Sequence, residues 1–88
     1  MKIEFRASFA KDLKKIKEVS VKKQVLVLIS MIENAGGLQE IDDMKKLKGT
    51  DGYYRIRVGD YRLGLVLDGT TLIFVRFLHR KDIYRYFP

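Results

Sequence analysis

Two turn signals, Gly59-Asp60 and Asp68-Gly69, cut residues 53–78 into three segments that read as β-strands, roughly 53–58, 61–67 and 71–78. Strands joined this closely run antiparallel, because a parallel return needs a connection of a dozen or more residues. No other stretch narrows the fold so far.

If Gly59-Asp60 is a two-residue turn, glycine in the first central position suits type II′. The opposed pairs are then Val58 with Tyr61, Arg57 with Arg62, Ile56 with Leu63, and Arg55 with Gly64. Side chains alternate along a strand, so Tyr54, Ile56, Val58, Tyr61, Leu63 and Leu65 share one apolar face. Arg55, Arg57, Arg62 and the bare backbone of Gly64 share the other. Like charges directly opposite each other destabilise a sheet by about 0.2–1 kcal/mol. An anion between the arginines removes that repulsion, and guanidinium forks match phosphate oxygens. Gly64 leaves room for close approach of a ligand. The alternative is plain neutralisation by nearby acids such as Asp60, Asp51 or Glu4.

A two-residue Asp68-Gly69 turn places Leu72 and Phe74 with the apolar face. It sends Ile73, Val75, Phe77 and then His79 to the arginine face. "LIFVRF" is apolar almost throughout, as suits a central strand covered on both sides. The end of that strand, "HRKDIY", comes close to the arginines if the sheet curves or a bulge intervenes.

Upstream, "KIEFR" (residues 2–6) alternates as a short strand. Ser8 is placed to cap a first helix carrying Phe9, Leu13 and Ile16, and Ser20 to cap a second with Val21, Val25, Leu28, Ile29 and Ile32 as its stripe. Gly36-Gly37 ends the second helix. So short a link predicts an antiparallel helical hairpin. Residues 38–52 read as a connection with one helical turn, and "RKDIYRYFP" as a turn or short helix. The order β-α-α-β-β-β predicts one α+β domain over residues 1–88, its helical hairpin packed on one face of a mainly antiparallel four-stranded sheet.

Composition limits the chemistry. The 88 residues include no cysteine and one histidine, His79, which excludes a disulfide framework and a thiolate cage and leaves no metal site in prospect. No apolar run approaches a membrane span and no signal peptide is visible, so the expectation is a soluble cytoplasmic protein with no membrane partner. The net charge is +7, and it is lopsided: residues 1–44 carry +1 and residues 45–88 carry +6. A basic half points to a polyanion, nucleic acid first. Lys11, Lys14, Lys15, Lys17, Lys22 and Lys23 read as a solvated helix face.

The block "KLKG…YYRIRVGDYRLGLVLDGTTLIFVRFLHRKDIY" resembles the RelE group of the RelE/ParE toxin superfamily, and the "F…F-KDLKK" helix and "YFP" tail extend the likeness over nearly the whole chain. The resemblance implies a type II toxin that enters the ribosomal A site and cuts mRNA there without a metal or cofactor. It also implies a RelB-like antitoxin that blocks the toxin, with operator DNA met only through that complex. Carried over by motif, the site is Arg55, Arg57, Arg62, Arg80 and Tyr84. Lys46, Lys48 and Lys81 are auxiliary RNA contacts. The family's best-studied member has a lysine, a proposed general base, where this chain has Arg57, and arginine does not give up its proton near neutrality. The proton carrier is then His79, an imidazole, or Tyr84. A ParE-like gyrase inhibitor without RNase activity, or a decayed toxin acting only through its antitoxin, are the competing readings.

Overall fold

The computed structural model describes residues 1–49 and 51–88. In chain order it contains β1 (Lys2–Phe5), α1 (Ala7–Lys15), α2 (Val19–Asn34), a 3-10 turn (Leu38–Glu40), β2 (Met44–Lys46), β3 (Tyr53–Val58), β4 (Tyr61–Asp68), β5 (Thr71–His79) and α3 (Ile83–Tyr86). One sheet runs β1-β5-β4-β3-β2. β1 lies parallel to β5, and the other neighbours are antiparallel.

The α+β class and the element order are as expected, but the sheet has five strands instead of four. The addition is β2, where a connection was expected; Met44, Lys45 and Lys46 pair with Ile56, Arg55 and Tyr54. A three-residue strand carrying two lysines has no readable alternation, and those charges suit an edge that must not recruit another chain. Thr50, in the same predicted connection, lies outside the described residues.

The β3–β4 register is as deduced, with Arg57 opposite Arg62 and Arg55 opposite Gly64. Gly59 takes φ +58°. The second turn sits one residue later than expected, at Gly69-Thr70, because Asp68 pairs with Thr71 and Gly69 supplies the positive φ. Further along, Leu65 faces Phe74 but Gly64 faces Arg76, so Val75 is an extra, unopposed residue. A one-residue shift reverses which face every later side chain takes. Phe77 therefore faces Leu63 in the core, and His79 faces Tyr61, both opposite to expectation. Arg76 and Leu78 take the arginine face in their place.

What holds the bulge is α1. β1 ends at Phe5 while β5 runs on, and α1 covers the exposed edge. The Arg6 N–H donates to the Phe74 carbonyl at 2.9 Å, and Ser8 Oγ donates to the Val75 carbonyl at 2.5 Å. The Phe77 N–H donates to Asp12 Oδ2 at 3.0 Å. Asp12, only 5% exposed, also accepts Arg76 Nε at 2.7 Å and a terminal guanidinium nitrogen at 3.0 Å. Ser8 is thus spent on the sheet rather than on a cap. Arg6 and Glu18 stand where Ser8 and Ser20 were expected, and neither caps through its side chain.

Phe9, Val25 and Ile32 from the helices close over Ile56, Leu63, Leu65, Leu72, Phe74 and Phe77. Phe9 meets Phe74 edge-on at 5.3 Å between centroids and Phe77 at 6.5 Å. α1 runs against β5, and α2 reaches β1 and β3.

Removing the Asp12 carboxylate leaves the Phe77 N–H and the Arg76 guanidinium without their acceptor. Hydrogen bonds to charged groups contribute about 1.5–3 kcal/mol each net of exchange with water, and Arg76 keeps partial access to water. Asp12→Ala is expected to lower unfolding stability by about 2–3 kcal/mol in urea titrations, with Asp12→Asn in between.

Candidate active site

The arginine face is built from four neighbouring strands and the segment that follows β5. Lys45, Arg55, Gly64 and Arg76 form one row across β2, β3, β4 and β5, and Arg57, Arg62 and Leu78 form the next. Lys45 was missed from sequence; only reading 44–46 as a strand would have set it opposite Arg55. Arg80 joins the group because its N–H donates to the Asp60 carbonyl at 2.8 Å, which ties the end of β5 to the tip of the β3–β4 hairpin.

Arg62 sits at the centre. One terminal guanidinium nitrogen donates to the carbonyls of Gly59 and Tyr61, each at 2.9 Å, which folds the side chain over the turn. Burial lowers its pKa from the ordinary arginine value, as do the positive charges of Arg57, Arg55 and, more weakly, Arg80; Tyr84 acts in the opposite direction. The same influences show which groups converge: Arg55, Arg57, Arg80 and Tyr84 all lie within electrostatic reach of Arg62. Tyr84, on α3, is 61% exposed.

The acids do not neutralise this cluster. Among the described residues the ion pairs are Lys46 with Asp51, at 3.8 Å, and Arg76 with Asp12. Neither involves Arg55, Arg57, Arg62 or Arg80. The apposed charges lack the carboxylate partners that a purely structural role would call for.

Other sequence candidates fall elsewhere. Lys46 faces Tyr54 on the helix side of the sheet, so it does not share the arginine face. Lys48 lies in the loop after β2, beside Lys46 and Asp51. Lys81 is exposed in the turn after β5, where its N–H donates to His79 Nδ1 at 3.2 Å. His79 packs edge-on against Tyr61 at 5.6 Å. Tyr61 in turn stacks on Phe77 at 5.3 Å and donates its hydroxyl to Glu18. That hydrogen bond, above all, raises the Tyr61 pKa. The Val75 bulge thus turns His79 away from the arginines and leaves it capping the turn. Gly64 is also not open as expected: the Phe87 ring lies over it. Among the described residues, no group of His, Asp and Glu side chains is placed to hold a metal, and no helix is long and apolar enough to cross a membrane.

Residues 3–84 match the family model described as the ParE toxin of the type II toxin–antitoxin system parDE. The whole chain aligns with the whole of Toxin RelE3 from Methanocaldococcus jannaschii at 46% identity.

The chain belongs to the RelE/ParE family of type II toxins.

Solved RelE structures agree with that placement. The structure of a RelB–RelE antitoxin–toxin complex from Methanococcus jannaschii matches with a TM-score of 0.83 at 45% identity, covering 97% of this chain and 99% of that one. The archaeal RelE–RelB complex from Pyrococcus horikoshii matches with a TM-score of 0.73 over 93% of this chain and 97% of that one, where 21% identity speaks to the fold alone. In this RelE-family toxin the β3–β4 pairing opposes two guanidinium groups that no ion pair among the described residues relieves. Replacing Arg57 by threonine should leave the free toxin as stable as before, or more stable by roughly 0.5 kcal/mol at low salt. The gain should shrink in high salt as screening removes the repulsion; parallel urea titrations at two ionic strengths read both.

Proposed function

We propose that the protein is a ribosome-dependent mRNA endonuclease that needs no metal. The observation that carries this reading is the gathering of Arg55, Arg57 and Arg62 on one face of the sheet, with Arg80 tied to the hairpin tip and Tyr84 within electrostatic reach of Arg62, and with no ion-paired acid among the described residues to neutralise them. The message's own 2′-hydroxyl attacks the adjacent phosphorus. A 2′-O–P bond forms, the P–O5′ bond breaks, and the products carry a 2′,3′-cyclic phosphate and a 5′-hydroxyl. The extra charge on the five-coordinate phosphate is met by Arg55, Arg57 and Arg62, fixed on paired strands before substrate arrives, and such preorganised charge is the larger part of most enzymatic stabilisation. Arg80, tied to the hairpin tip, is the group for the leaving 5′-oxygen. Tyr84 is the hydroxyl on this face that accepts or donates a proton, or stacks on a base; Arg57 is no base, and His79 stands on the opposite side of the sheet.

The partner is a RelB-like antitoxin. A groove of about 770 Å³ between α2 and β3 is lined by Val27, Leu28, Met31, Ile41, Ile56 and Val58 and reaches Arg57 at one end. Val19, Leu26, Val27 and Met31 on α2 are large, apolar and exposed. Exposed apolar surface of this kind marks an interaction site, and the relative of 45% identity was solved with RelB. Met31→Glu should weaken capture of the cognate antitoxin at least tenfold in a titration, about 1.4 kcal/mol, while leaving toxicity in its absence intact.

The match to the ParE model keeps gyrase inhibition as the second reading. Primer extension on a defined message in translating and non-translating extracts separates the two. Cuts confined to the translated message, and lost in folded Arg62→Ala and Arg80→Ala, are the expected result. Growth arrest with intact message and DNA-damage signs would move the assignment to gyrase.

A further inference from the structure

A Cβ built on Gly64 would fall 2.8 Å from Cγ and Cδ2 of the Phe87 ring and 2.9 Å from Cδ1. No real side chain tolerates such contacts, so the missing Cβ is a notch in the sheet, and Phe87 fills it. The ring is 2% exposed and packs at 5.6 Å against Tyr53, which shares that face. One helical turn earlier, Ile83 is fully buried, and the Phe87 N–H donates to the Ile83 carbonyl at 2.8 Å. Between these two anchors the Tyr86 ring lies over the Arg76 guanidinium at 5.7 Å, and Arg76 is itself pinned by Asp12.

A four-residue helix does not hold its own shape in water. The position of α3 is therefore set by what fastens it on either side. Ile83 and Phe87, four residues apart, face the sheet, and Tyr84 projects from the segment strung between them. Gly64 stands directly opposite Arg55, so the seat of Phe87 and the arginine cluster share one row of the sheet. The distance from tail to arginines is thus fixed by a ring resting on backbone.

We propose that Phe87 is a positioning residue, its ring latched onto the bare backbone of Gly64 so that Tyr84 is held beside the arginine face, within reach of Arg62. Phe87 does not touch the reacting phosphate; it acts through Tyr84. Gly64, which sequence alone offers as open space for a ligand, is instead the socket of the latch. Binding to an RNA surface rests on the basic face and stays as it is when the latch opens, whereas the chemical step loses its tyrosine.

The test compares wild type, Gly64→Ala, Phe87→Ala and the double variant in two readouts, only the second of which rests on the nuclease reading. The first is 19F NMR of toxin carrying 3-fluorotyrosine, with the Tyr84 signal assigned by Tyr84→Phe. Each single variant should move the Tyr84 signal toward that of a free tyrosine while the Tyr61 signal stays in place. The second is the cutting rate on translating ribosomes. Each single variant should lower the saturating rate by about ten- to a hundredfold, the range expected from a displacement near 1 Å. The half-saturating toxin concentration should hold within about twofold, because uniform binding is untouched. The double variant should be no worse than the poorer single one, since once the ring is gone the new methyl meets nothing. An unmoved Tyr84 signal in folded Gly64→Ala, or losses that multiply in the double variant, would overturn the latch. If Phe87→Ala does not fold, the Gly64→Ala arm decides alone. If wild type cuts nothing, the nuclease reading falls and the NMR readout still decides whether Phe87 holds Tyr84.

Discussion

A single extra residue in β5, Val75, sets what each side of the sheet presents. Before it, the strand follows the alternation started at the Gly69-Thr70 turn, with Leu72 and Phe74 in the core. After it, the alternation is reversed: Phe77 joins the core and Arg76 and Leu78 cross to the arginine face. Without the insertion Phe77 would leave the core and Arg76 would point into it, so the shift serves packing and site together. It persists because α1 meets it with matching groups. Ser8 takes the Val75 carbonyl, and the Asp12 carboxylate takes the next free N–H and the Arg76 guanidinium at once. A buried carboxylate is tolerable only when its lone pairs are this fully used.

The same sheet keeps its other face in electrostatic tension. Arg57 and Arg62 stay apposed, and the carbonyls of the turn hold Arg62 in place without neutralising it. Functional constellations built on strands are held more tightly than those on loops, and here three of the arginines belong to a two-stranded ladder. Charge repulsion of this kind weakens the free protein and is relieved by any anion that enters between the two guanidinium groups. Under the proposed function, stability and activity would draw on the same side chains with opposite sign.

Much of this was legible from local pattern. The β3–β4 register follows from one two-residue turn, and with it the shared face of Arg55, Arg57 and Arg62. Both helical stripes and the core aromatics Phe9 and Phe74 follow from periodicity. What escaped is non-local. The bulge depends on Asp12, more than sixty residues away from Phe77 in sequence, so no window of β5 announces it, and His79 was assigned to the wrong face as a result. β2 escaped because three residues cannot show a period, and Lys45 escaped with it. Ser8 and Ser20 looked like caps because serine is a good one, yet the sheet edge claims Ser8. Gly64 was rightly singled out as a close approach, but its occupant is the chain's own Phe87.

The parallel pairing of β1 with β5 has a consequence for how the molecule comes into being. Residues 2–5 find their partners at 71–74, so the first strand made has nothing to pair with until most of the chain has left the ribosome. Such distant pairings slow folding, since the loop must close before any contact rewards it. α1 waits as well, because the edge it covers belongs to β5. The basic hairpin at 53–68 closes locally, whereas β1 and α1 reach their partner β5 only across more than sixty residues of chain. Synthesis and assembly are thereby separated in time, and the nascent chain carries its arginines out of the ribosome before it has a finished surface on which to array them.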